Sequence, residues 1–342
     1  MLTVRVDLSK IKHNISYIKS VTNTEFCAVV KANAYGHGLC EFSKAVEEDV
    51  DCFAVATEYE ALKLVKSGIT KKILVFNYGY PNETMPKNVI PSVFSVEGVE
   101  ALKGKATEVS IAVNTGMNRF GVSHDNFNKV FEAALKHGLS VHGAYTHFFN
   151  ESDEESCKRQ FDEFKRAIFC IKDSGIKFHC CASNCLVLPR EYYLDMVRVG
   201  LAMYGYGYRG VVPAMDTYTD IIWTGNVSAG EHIGYGDFVA PKKMKIASVR
   251  VGYGDGFRRI KNHYVSVDGV LCPVVGNVCM DVCIIDVSDI NCKVGQRVCI
   301  LGENIDFDDV CVTHNTISHE VLTMINERAE RIYVAGQKRI QN

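Results

Sequence analysis

The 342-residue chain lacks the features that direct a protein across or into a membrane. Its first ten residues, MLTVRVDLSK, carry charges every few positions and contain no apolar core of signal-peptide length. No uninterrupted apolar run approaches the ~18 residues of a membrane-spanning helix. Low-complexity stretches, blocks of like charge and a compositionally distinct linker are also missing. These absences favour an ordered cytoplasmic protein. The length of the chain allows one large domain or two of ordinary size.

Acidic and basic side chains are present in nearly equal numbers. The chain has 38 basic and 40 acidic side chains, a formal net charge of −2. We therefore expect no general attraction toward nucleic acid or an anionic membrane. Hydrophobic residues make up 47% and charged residues 23% of the chain. These fractions are close to the averages of soluble proteins and argue against disordered or fibrous architectures.

Cysteine is the residue that the chain has in abundance, with 14 in all. In a short secreted protein this count would indicate a disulfide framework. The closest groups here are Cys180, Cys181 and Cys185, and Cys279 with Cys283. None of them forms a C-x-x-C pair, and the second half of a zinc site is missing. We interpret the cysteines as reduced thiols, several of them within apolar runs, and predict no metal site.

Two hydrophobic patterns divide the chain. From residue 25 to about 210, short apolar runs alternate with amphipathic segments such as Glu58–Lys66. This pattern predicts a parallel α/β sheet, and the number of units favours a closed, TIM-type (β/α)8 barrel. After about residue 215, short alternating runs predict a β-rich domain with little helix before residues 315–327. We predict a barrel domain over residues 1–215 and a C-terminal β domain over residues 216–342.

The sharpest local signal is the segment VVKANAYGHG at residues 29–38. Lys31 follows an apolar strand, and the carboxyl ends of barrel strands carry reacting groups. A lysine there can form a Schiff base once burial lowers its pKa. Tyr35 and His37 follow, and the adjacent glycines allow the backbone to approach a ligand closely. The spacing alone leaves open a surface lysine before a glycine turn.

This segment resembles the pyridoxal-phosphate lysine motif of bacterial alanine racemases. Further blocks resemble the same family in the same order: TGMNRFG at 115–121, THF at 146–148, RVGLAMYG at 198–205, GYG at 234–236, GYGDGFRR at 252–259 and VCMD at 278–281. One block would be weak evidence, but the shared order makes chance an untenable explanation. The resemblance implies a barrel followed by a β domain. It also implies a head-to-tail homodimer in which the partner's β domain completes each active site.

The resemblance further implies a cofactor, pyridoxal 5′-phosphate, and a role for each site residue. Lys31 would hold the cofactor covalently and act as one catalytic base, and Tyr235 would act as the second. The other cofactor contacts would come from Tyr35, His147, Ser183, Arg198, Gly200, Leu201 and His319, and the substrate carboxylate would bind to Arg119 and the backbone of Met280. Two bases suit a racemase, because the α-proton must leave one face and return to the other.

General chemistry supports two of these roles. A tyrosine with an ordinary pKa near ~10 acts as a base only if a neighbour lowers that pKa, and we expect His147 to be this neighbour of Tyr235. Arg198 would face the pyridine nitrogen of the cofactor. An arginine cannot readily give up its proton, so it limits electron withdrawal into the ring and should discourage transamination.

The chain departs from the family pattern at several positions. Ala112 stands where many members have a carbamylated lysine, so a bound chloride or a hydrogen bond from Asn114 would have to orient Arg119. Asn277 replaces a common arginine. His319 replaces a tyrosine that usually reaches the phosphate and borders the substrate pocket.

From these features we expect racemisation of L-alanine to D-alanine, a peptidoglycan precursor, with appreciable serine turnover. A site without a hydroxyl partner discriminates weakly between such small side chains. The main alternative is a serine or dual serine/alanine racemase of the vancomycin-resistance type. A non-catalytic pyridoxal-phosphate-binding protein and a basic-amino-acid decarboxylase are further alternatives. Tyr235 and the β-rich third of the chain argue against the first of these, and the context of Met280 argues against the second.

Overall fold

The computed structural model describes residues 1–77, 83–171, 175–302 and 304–336, together with the backbone of Lys338–Arg339. The chain begins with strand β1 (Thr3–Asp7) and helix α1 (Leu8–Thr22). It divides into a barrel unit, Lys12–Val212, and a β unit formed by Met1–Ile11 and Pro213–Asn342. The first eleven residues join the β unit because β1 pairs with later strands. The sequence-based division into residues 1–215 and 216–342 assigns these first eleven residues to the barrel domain instead.

Eight parallel strands form the sheet of the barrel unit within the described residues. They are β2 (Glu25–Val29), β3 (Cys52–Val55), β4 (Ile73–Val75), β5 (Val89–Val93), β6 (Glu108–Ala112), β7 (Ser140–Tyr145), β8 (Lys177–His179) and β9 (Met196–Val199). Strands β2 to β8 pair in chain order, and β9 pairs with β2. A parallel bridge between Ala182 and Arg198 joins the chain after β8 to β9 and closes the ring. The structure confirms the predicted (β/α)8 barrel.

Helices alternate with these strands and bury their apolar sides against the sheet. They are α2 (Lys31–Tyr35), α3 (Leu39–Val46), α4 (Glu58–Lys66), α5 (Val96–Leu102), α6 (His124–Lys136) and α7 (Glu154–Ile168). One apolar cluster joins β5–β8 to α5–α7 and contains the fully buried Val99, Phe127 and Phe164. Helix α4 has the predicted bounds, because Thr57 and Glu60 form a capping box at its start.

The β unit confirms the predicted β-rich domain. Besides β1 it contains β10 (Met215–Val227), β11 (Met244–Val249), β12 (Tyr264–Val267), β13 (Val270–Pro273), β14 (Cys283–Asp286), β15 (Arg297–Leu301), β16 (Glu330–Ala335) and β17 (Lys338–Arg339). Strand β1 runs antiparallel to β10 and parallel to β16. Two helices are also present in its described residues, α8 (Phe307–His314) and α9 (Ser318–Thr323).

The helices of the β unit differ from the prediction of one helix over residues 315–327. Asn315 has a φ of +49° and ends α8, an element that the sequence analysis missed. Helix α9 then covers only Ser318–Thr323. An asparagine tolerates the left-handed conformation and therefore suits the end of a helix rather than its start.

Two properties of the chain bear on its environment. All 14 cysteines carry free thiols, and most of them are buried. No helix in the described ranges is both long and apolar enough to cross a membrane.

Candidate active site

Lys31 lies just beyond the carboxyl end of β2, at the edge of the barrel where reacting groups are expected. Burial lowers the pKa of its ammonium group, and the guanidinium groups of Arg119 and Arg198 lower it further, while the carboxylate of Glu60 opposes them. A lowered pKa increases the fraction of neutral amine, which is the form that attacks a carbonyl or accepts a proton. The environment of Lys31 therefore favours covalent and acid–base chemistry.

The short element α2 is not an ordinary α-helix, because its backbone after Lys31 is left-handed. Residues 32–35 have φ values of +52°, +56°, +52° and +51° although none of them is glycine. Each such residue costs roughly 1–2 kcal/mol relative to a right-handed conformation. A run of this kind persists only where the surrounding structure holds it, and strained backbone of this type is common at functional sites.

Glu60 and Asn33 hold this left-handed segment. The carboxylate of Glu60 accepts the N–H of Ala32 at 2.6 Å and the N–H of Ala56 at 2.9 Å. The side-chain oxygen of Asn33 accepts the N–H of Leu39 at 2.8 Å. Glu60 thus caps α4 and fixes the residue that follows Lys31. The sequence analysis missed this role, although the T-x-x-E capping pattern at residues 57–60 was available as a signal.

Tyr35, Ser183 and Gly200 form a cradle that presents two hydroxyl groups. The hydroxyl oxygen of Ser183 accepts the N–H of Gly200 at 2.9 Å and that of Ala202 at 3.2 Å, which directs its own proton outward as a donor. A Cβ on Gly200 would lie 2.6 Å from the hydroxyl oxygen of Tyr35, so a glycine is needed there. Burial raises the pKa of Tyr35 to about 12, and its hydroxyl stays protonated.

This cradle suits a phosphate group. Hydroxyl donors and the adjacent backbone of Leu201 provide neutral hydrogen bonds to an anion without a bulky side chain in the way. The structure brings Tyr35, Ser183, Gly200 and Leu201 together, and their role as phosphate contacts stays a prediction. Ala202 is an additional member that the sequence analysis did not name.

Arg198 is a buried cation with neutral partners. Its Nη1 donates to Nδ1 of His179 at 2.7 Å, and its Nη2 donates to the carbonyl oxygens of Thr146 at 2.8 Å and Cys180 at 3.0 Å. No carboxylate within the described part of the chain lies within 4.0 Å of its guanidinium. The positive charge is therefore held by neutral groups, including the ring of Tyr145, whose centroid lies 5.2 Å from the guanidinium carbon, and no paired carboxylate among the described residues offsets it for a ligand.

His179 is a functional candidate that the sequence analysis missed. Burial and the neighbouring Arg198 lower the pKa of His179 well below its usual value, so the ring stays neutral and its Nδ1 accepts from the arginine. The ring also stacks on Tyr145, with 5.2 Å between the centroids. Its sequence context, an apolar strand, is that of an ordinary core residue and gave no signal.

His147 also contacts Arg198, at a longer distance than His179 does. Its Nδ1 lies 3.3 Å from Nη2 of Arg198. Burial, together with the charges of Arg198 and Arg119, lowers the pKa of His147 to about 3. The imidazole is therefore neutral near pH 7. His147 is thus available as an uncharged hydrogen-bonding group rather than as a cation.

Arg119 projects from an exposed loop above β6. The base of this loop closes where the N–H of Asn114 donates to the carbonyl of Val122 at 2.9 Å. Gly121 has a φ of +124°, and a Cβ there would lie 2.5 Å from the amide nitrogen of Asn114. The Arg119 guanidinium lies over the ring of Phe120, 4.9 Å from its centroid.

Asn114 is committed to this loop rather than to Arg119. Its side-chain oxygen accepts the N–H groups of Gly116 at 3.1 Å and Asn118 at 3.0 Å. Its side-chain nitrogen donates to the side chain of Asn118 at 3.0 Å. A small cavity of about 20 Å³ is lined by Ala112, Arg119 and other residues of this region. The hydrogen bonds of the Asn114 side chain thus go to its own loop and not to Arg119, and a bound anion stays a prediction.

In the β unit, Tyr235 stands on an exposed glycine turn. Its side chain is 72% exposed, and Gly234 and Gly236 on either side have φ values of +67° and +90°. The side-chain nitrogen of Asn277 donates to the carbonyl of Tyr235 at 2.7 Å. A Cβ on Gly236 would lie 2.6 Å from this nitrogen. Asn277, at the position where the family often has arginine, therefore fixes the Tyr235 turn.

Met280 is also exposed, at 54%, on the loop that follows Asn277. The N–H of Gly254 donates to the carbonyl of Met280 at 2.8 Å, so this loop is anchored to the neighbouring glycine turn. His319 lies on α9, is partly exposed and accepts the hydroxyl of Thr323 at its carbonyl oxygen, 2.9 Å away. The predicted site residues thus form one group in the barrel unit, while Tyr235, Met280 and His319 belong to the β unit.

Comparison with known proteins decides the family. Residues 6–207 match the profile of the alanine racemase N-terminal domain, and residues 214–333 match that of the alanine racemase C-terminal domain. The chain belongs to the alanine racemase family. This membership confirms the enzyme class inferred from the sequence, an amino-acid racemase.

Individual members of the alanine racemase family match over nearly the whole chain. Alanine racemase 2 of Caldanaerobacter subterraneus subsp. tengcongensis is 35% identical and aligns with 97% of this chain and 94% of its own. The crystal structure of Bacillus anthracis alanine racemase with bound L-Ala-P has a TM-score of 0.92 at 28% identity, covering 99% of this chain and 96% of that one. The Bartonella henselae alanine racemase with covalently bound pyridoxal phosphate has a TM-score of 0.87 at 26% identity, covering 97% and 99%.

Proposed function

We propose that this racemase interconverts L-alanine and D-alanine with pyridoxal 5′-phosphate bound covalently to Lys31. The observation that carries the proposal is Lys31 at the carboxyl end of a barrel strand, with a lowered pKa, in the same unit as the cradle of Tyr35, Ser183 and Gly200. Family members named as alanine racemases match nearly the full chain, and one of them carries the cofactor covalently bound. A serine racemase is not favoured over this reading.

The residues of the barrel unit fit the cofactor. Tyr35, Ser183 and the backbone of Gly200 and Leu201 would hold its phosphate, and Arg198 would face its pyridine nitrogen. Pyridoxal phosphate, when bound, draws electrons away from the α-carbon of an attached amino acid and so acidifies the α-proton. Arg198 limits this withdrawal because its guanidinium keeps its proton, and the neutral His179 holds it in place without neutralising it.

Lys31 and Tyr235 move the proton. Once the substrate amine displaces it from the cofactor, Lys31 would take the α-proton on one face of the substrate as a neutral amine and return it as an ammonium ion. On the other face, Tyr235 would take the proton as a phenolate and return it as a phenol. His147 assists as an uncharged hydrogen-bond donor. The guanidinium of Arg119 and the N–H of Met280 hold the substrate carboxylate, and an anion such as chloride in the cavity beside Ala112 orients Arg119.

The two catalytic bases belong to different subunits in this proposal. Tyr235 and Met280 are exposed on the β unit, and Phe238 and Val239 near them are exposed apolar residues. Covering such a surface with a second copy would remove apolar area from water. In a head-to-tail homodimer, the partner subunit's Tyr235 would reach the substrate held by Lys31. His319 would donate to the phosphate in place of the usual tyrosine. In the cytoplasm this activity would supply D-alanine for peptidoglycan.

The decisive experiment measures D-alanine formation and cofactor absorbance in the purified protein. The wild type should form D-alanine and show the absorbance band of the covalently bound cofactor, and Lys31→Ala should lose both. Tyr235→Phe should keep the band but lose solvent-deuterium incorporation at Cα from one enantiomer. Normal incorporation from both enantiomers in Tyr235→Phe would refute the two-base assignment.

A competition between substrates tests the substrate assignment. We expect kcat/KM for L-alanine to exceed that for L-serine, with measurable serine turnover because the pocket is not built around a hydroxyl. A higher kcat/KM for L-serine would make the chain a serine racemase.

A further inference from the structure

The loop that carries Met280 is packed against the glycine turn at residues 252–256. The N–H of Tyr253 donates to the carbonyl of Cys279 at 3.1 Å, and the N–H of Gly254 donates to the carbonyl of Met280 at 2.8 Å. A Cβ on Gly252 would lie 2.3 Å from the Met280 carbonyl oxygen. The two segments are therefore in backbone contact, and the conformation of one sets that of the other.

Arg328 bridges these two segments with one guanidinium. Its Nη2 lies 2.8 Å from a carboxylate oxygen of Asp281, the residue after Met280. Its Nε lies 3.4 Å from a carboxylate oxygen of Asp255, within the glycine turn. A Cβ on Gly254 would lie 2.2 Å from Nη1 of Arg328, so the guanidinium rests directly against the turn. The mechanism proposed above does not use this arginine.

Arg328 is itself held in place. Its backbone N–H donates to the side-chain oxygen of Asn326 at 2.9 Å, and the side-chain nitrogen of Asn326 donates to the carbonyl of Gly254 at 2.8 Å. Asp255 in turn accepts the N–H of Gly252 at 3.0 Å. Each group around the arginine is therefore tied to the backbone of the loop or of the turn.

The charges of Asp281 and Arg328 would act on a substrate carboxylate bound at Met280. If the N–H of Met280 receives the substrate carboxylate, the ionised Asp281 on the next residue repels that carboxylate. The guanidinium of Arg328 lies against this charge and offsets it, and the same guanidinium also pairs with Asp255. The side chains of Arg328 and Asp281 are about half exposed, at 52% and 59%, and exposed ion pairs add little to folding stability. The main effect of the bridge should therefore be on binding rather than on stability.

We propose that Arg328 is a positioning residue that neutralises Asp281 and thereby makes the Met280 loop receptive to the substrate carboxylate. The inference rests on the proposed role of Met280. Because Arg328 does not touch the reacting atoms, its loss should weaken substrate binding while proton transfer continues at the normal rate.

The test compares Arg328→Met with Arg328→Met/Asp281→Asn in the cofactor-loaded enzyme. The single variant should raise KM for L-alanine about tenfold, with kcat within about twofold, as expected for an uncompensated carboxylate several ångströms from the bound anion. The double variant should return KM to within about threefold of the wild type, because it removes the repelling charge. Arg328→Lys should lie between the wild type and Arg328→Met. Arg250→Met, which removes an exposed arginine elsewhere in the β unit, serves as the control.

Each outcome decides the inference. An unchanged KM in Arg328→Met overturns it. A raised KM that Asp281→Asn does not correct also overturns it, because the arginine would then contact the substrate directly or act only through the fold. A parallel fall in kcat overturns it as well. If the wild type forms no D-alanine, the proposed function fails, whereas an active wild type with a normal KM in Arg328→Met refutes this inference alone.

Discussion

The barrel unit and the β unit present their site residues in opposite ways. In the barrel unit Arg198 is 2% exposed and is held by His179 and two carbonyl groups. In the β unit Tyr235 is 72% exposed and is held mainly through its backbone carbonyl. The barrel half is assembled by folding and shares the stability of the core. In the β half, a hydrogen bond to the backbone shapes the Tyr235 turn, while the Tyr235 side chain stays exposed on the surface of its own chain.

Removal of Arg198 should produce the largest effect. Arg198→Met leaves the acceptors on His179, Thr146 and Cys180 without their buried donor, so we expect a loss of about 3 kcal/mol in the free energy of unfolding. Cofactor binding should fall as well. Urea unfolding of the apoprotein and absorbance titration of the cofactor measure the two effects.

Arg190→Met is the matched control, because Arg190 is exposed and donates to the carbonyl of Val21 at 3.0 Å. A loss below about 1 kcal/mol is expected there. Equal losses in the two variants would show that the barrel network is no more rigid than the surface.

Acidification should destabilise both units through buried histidines. Burial lowers the pKa of His147 to about 3 and that of His263, in the β unit, to about 4. In the unfolded chain these rings bind a proton below about pH 6.5, whereas in the folded chain they do not, so stability falls as the pH drops from 7 to 5. The loss should approach 2 kcal/mol for each histidine at pH 5.

Unfolding measured between pH 5 and pH 7 tests this expectation. His263→Phe should reduce the pH dependence, whereas replacement of the exposed His13 by Gln should leave it unchanged. A pH dependence in His263→Phe as steep as in the wild type would contradict the assignment.

Glu60→Gln should have an intermediate effect confined to the barrel. The amide keeps the shape of the carboxylate but loses its charge and one acceptor for the N–H groups of Ala32 and Ala56. We expect a loss of about 1 kcal/mol in the free energy of unfolding and weaker cofactor binding, because the strained segment after Lys31 is released. Glu58→Gln in the same helix is the control. Unaltered cofactor affinity in Glu60→Gln would show that the strained segment after Lys31 does not contribute to cofactor binding.

Asn277→Ala should have the smallest effect on stability and yet impair activity. It removes one hydrogen bond to the exposed Tyr235 turn, so the free energy of unfolding should change by less than about 0.5 kcal/mol. The rate constant kcat should fall several-fold, because Tyr235 is no longer held in one position. Asn226→Ala, an exposed change on β10, provides the comparison. Full activity in Asn277→Ala would indicate that the turn needs no support.

The fold was predictable because its signals are local or periodic. The helix at Glu58–Lys66 carries amphipathic spacing and a capping box, and it appears with those bounds. Helix α8 was missed because its short sequence, FDDVCVTH, has a weak apolar stripe and few strong helix formers. Its start is fixed by the capping carboxylate of Asp306 and its end by Asn315. Strand β1 belongs to the β unit because it pairs with β10 and β16, which are distant in the sequence. No local pattern predicts such pairing.

The site was predictable where the residue type itself is unusual in its position, as for Lys31 after a strand. His179 and Glu60 were missed for a physical reason: each acts through another residue, so its own surroundings look ordinary in the sequence. The neutral state of His147 also could not be read from the sequence, since it arises from burial beside Arg198 and Arg119. The contacts of His179 with Arg198 and of Glu60 with Ala32, 19 and 28 residues apart in the sequence, form only when the chain is folded.

The bridge that closes the barrel has a consequence for loading of the enzyme. The ring of strands is joined between Ala182 and Arg198, where the N–H of Arg198 donates to the carbonyl of Cys181 at 3.0 Å. Ser183 and Gly200 lie next to this seam, so the proposed phosphate cradle straddles it. A cofactor bound there would contact residues on both sides of the join. Because a ligand stabilises the state that binds it, a cofactor held by groups on both sides of the join would stabilise the closed ring at this line.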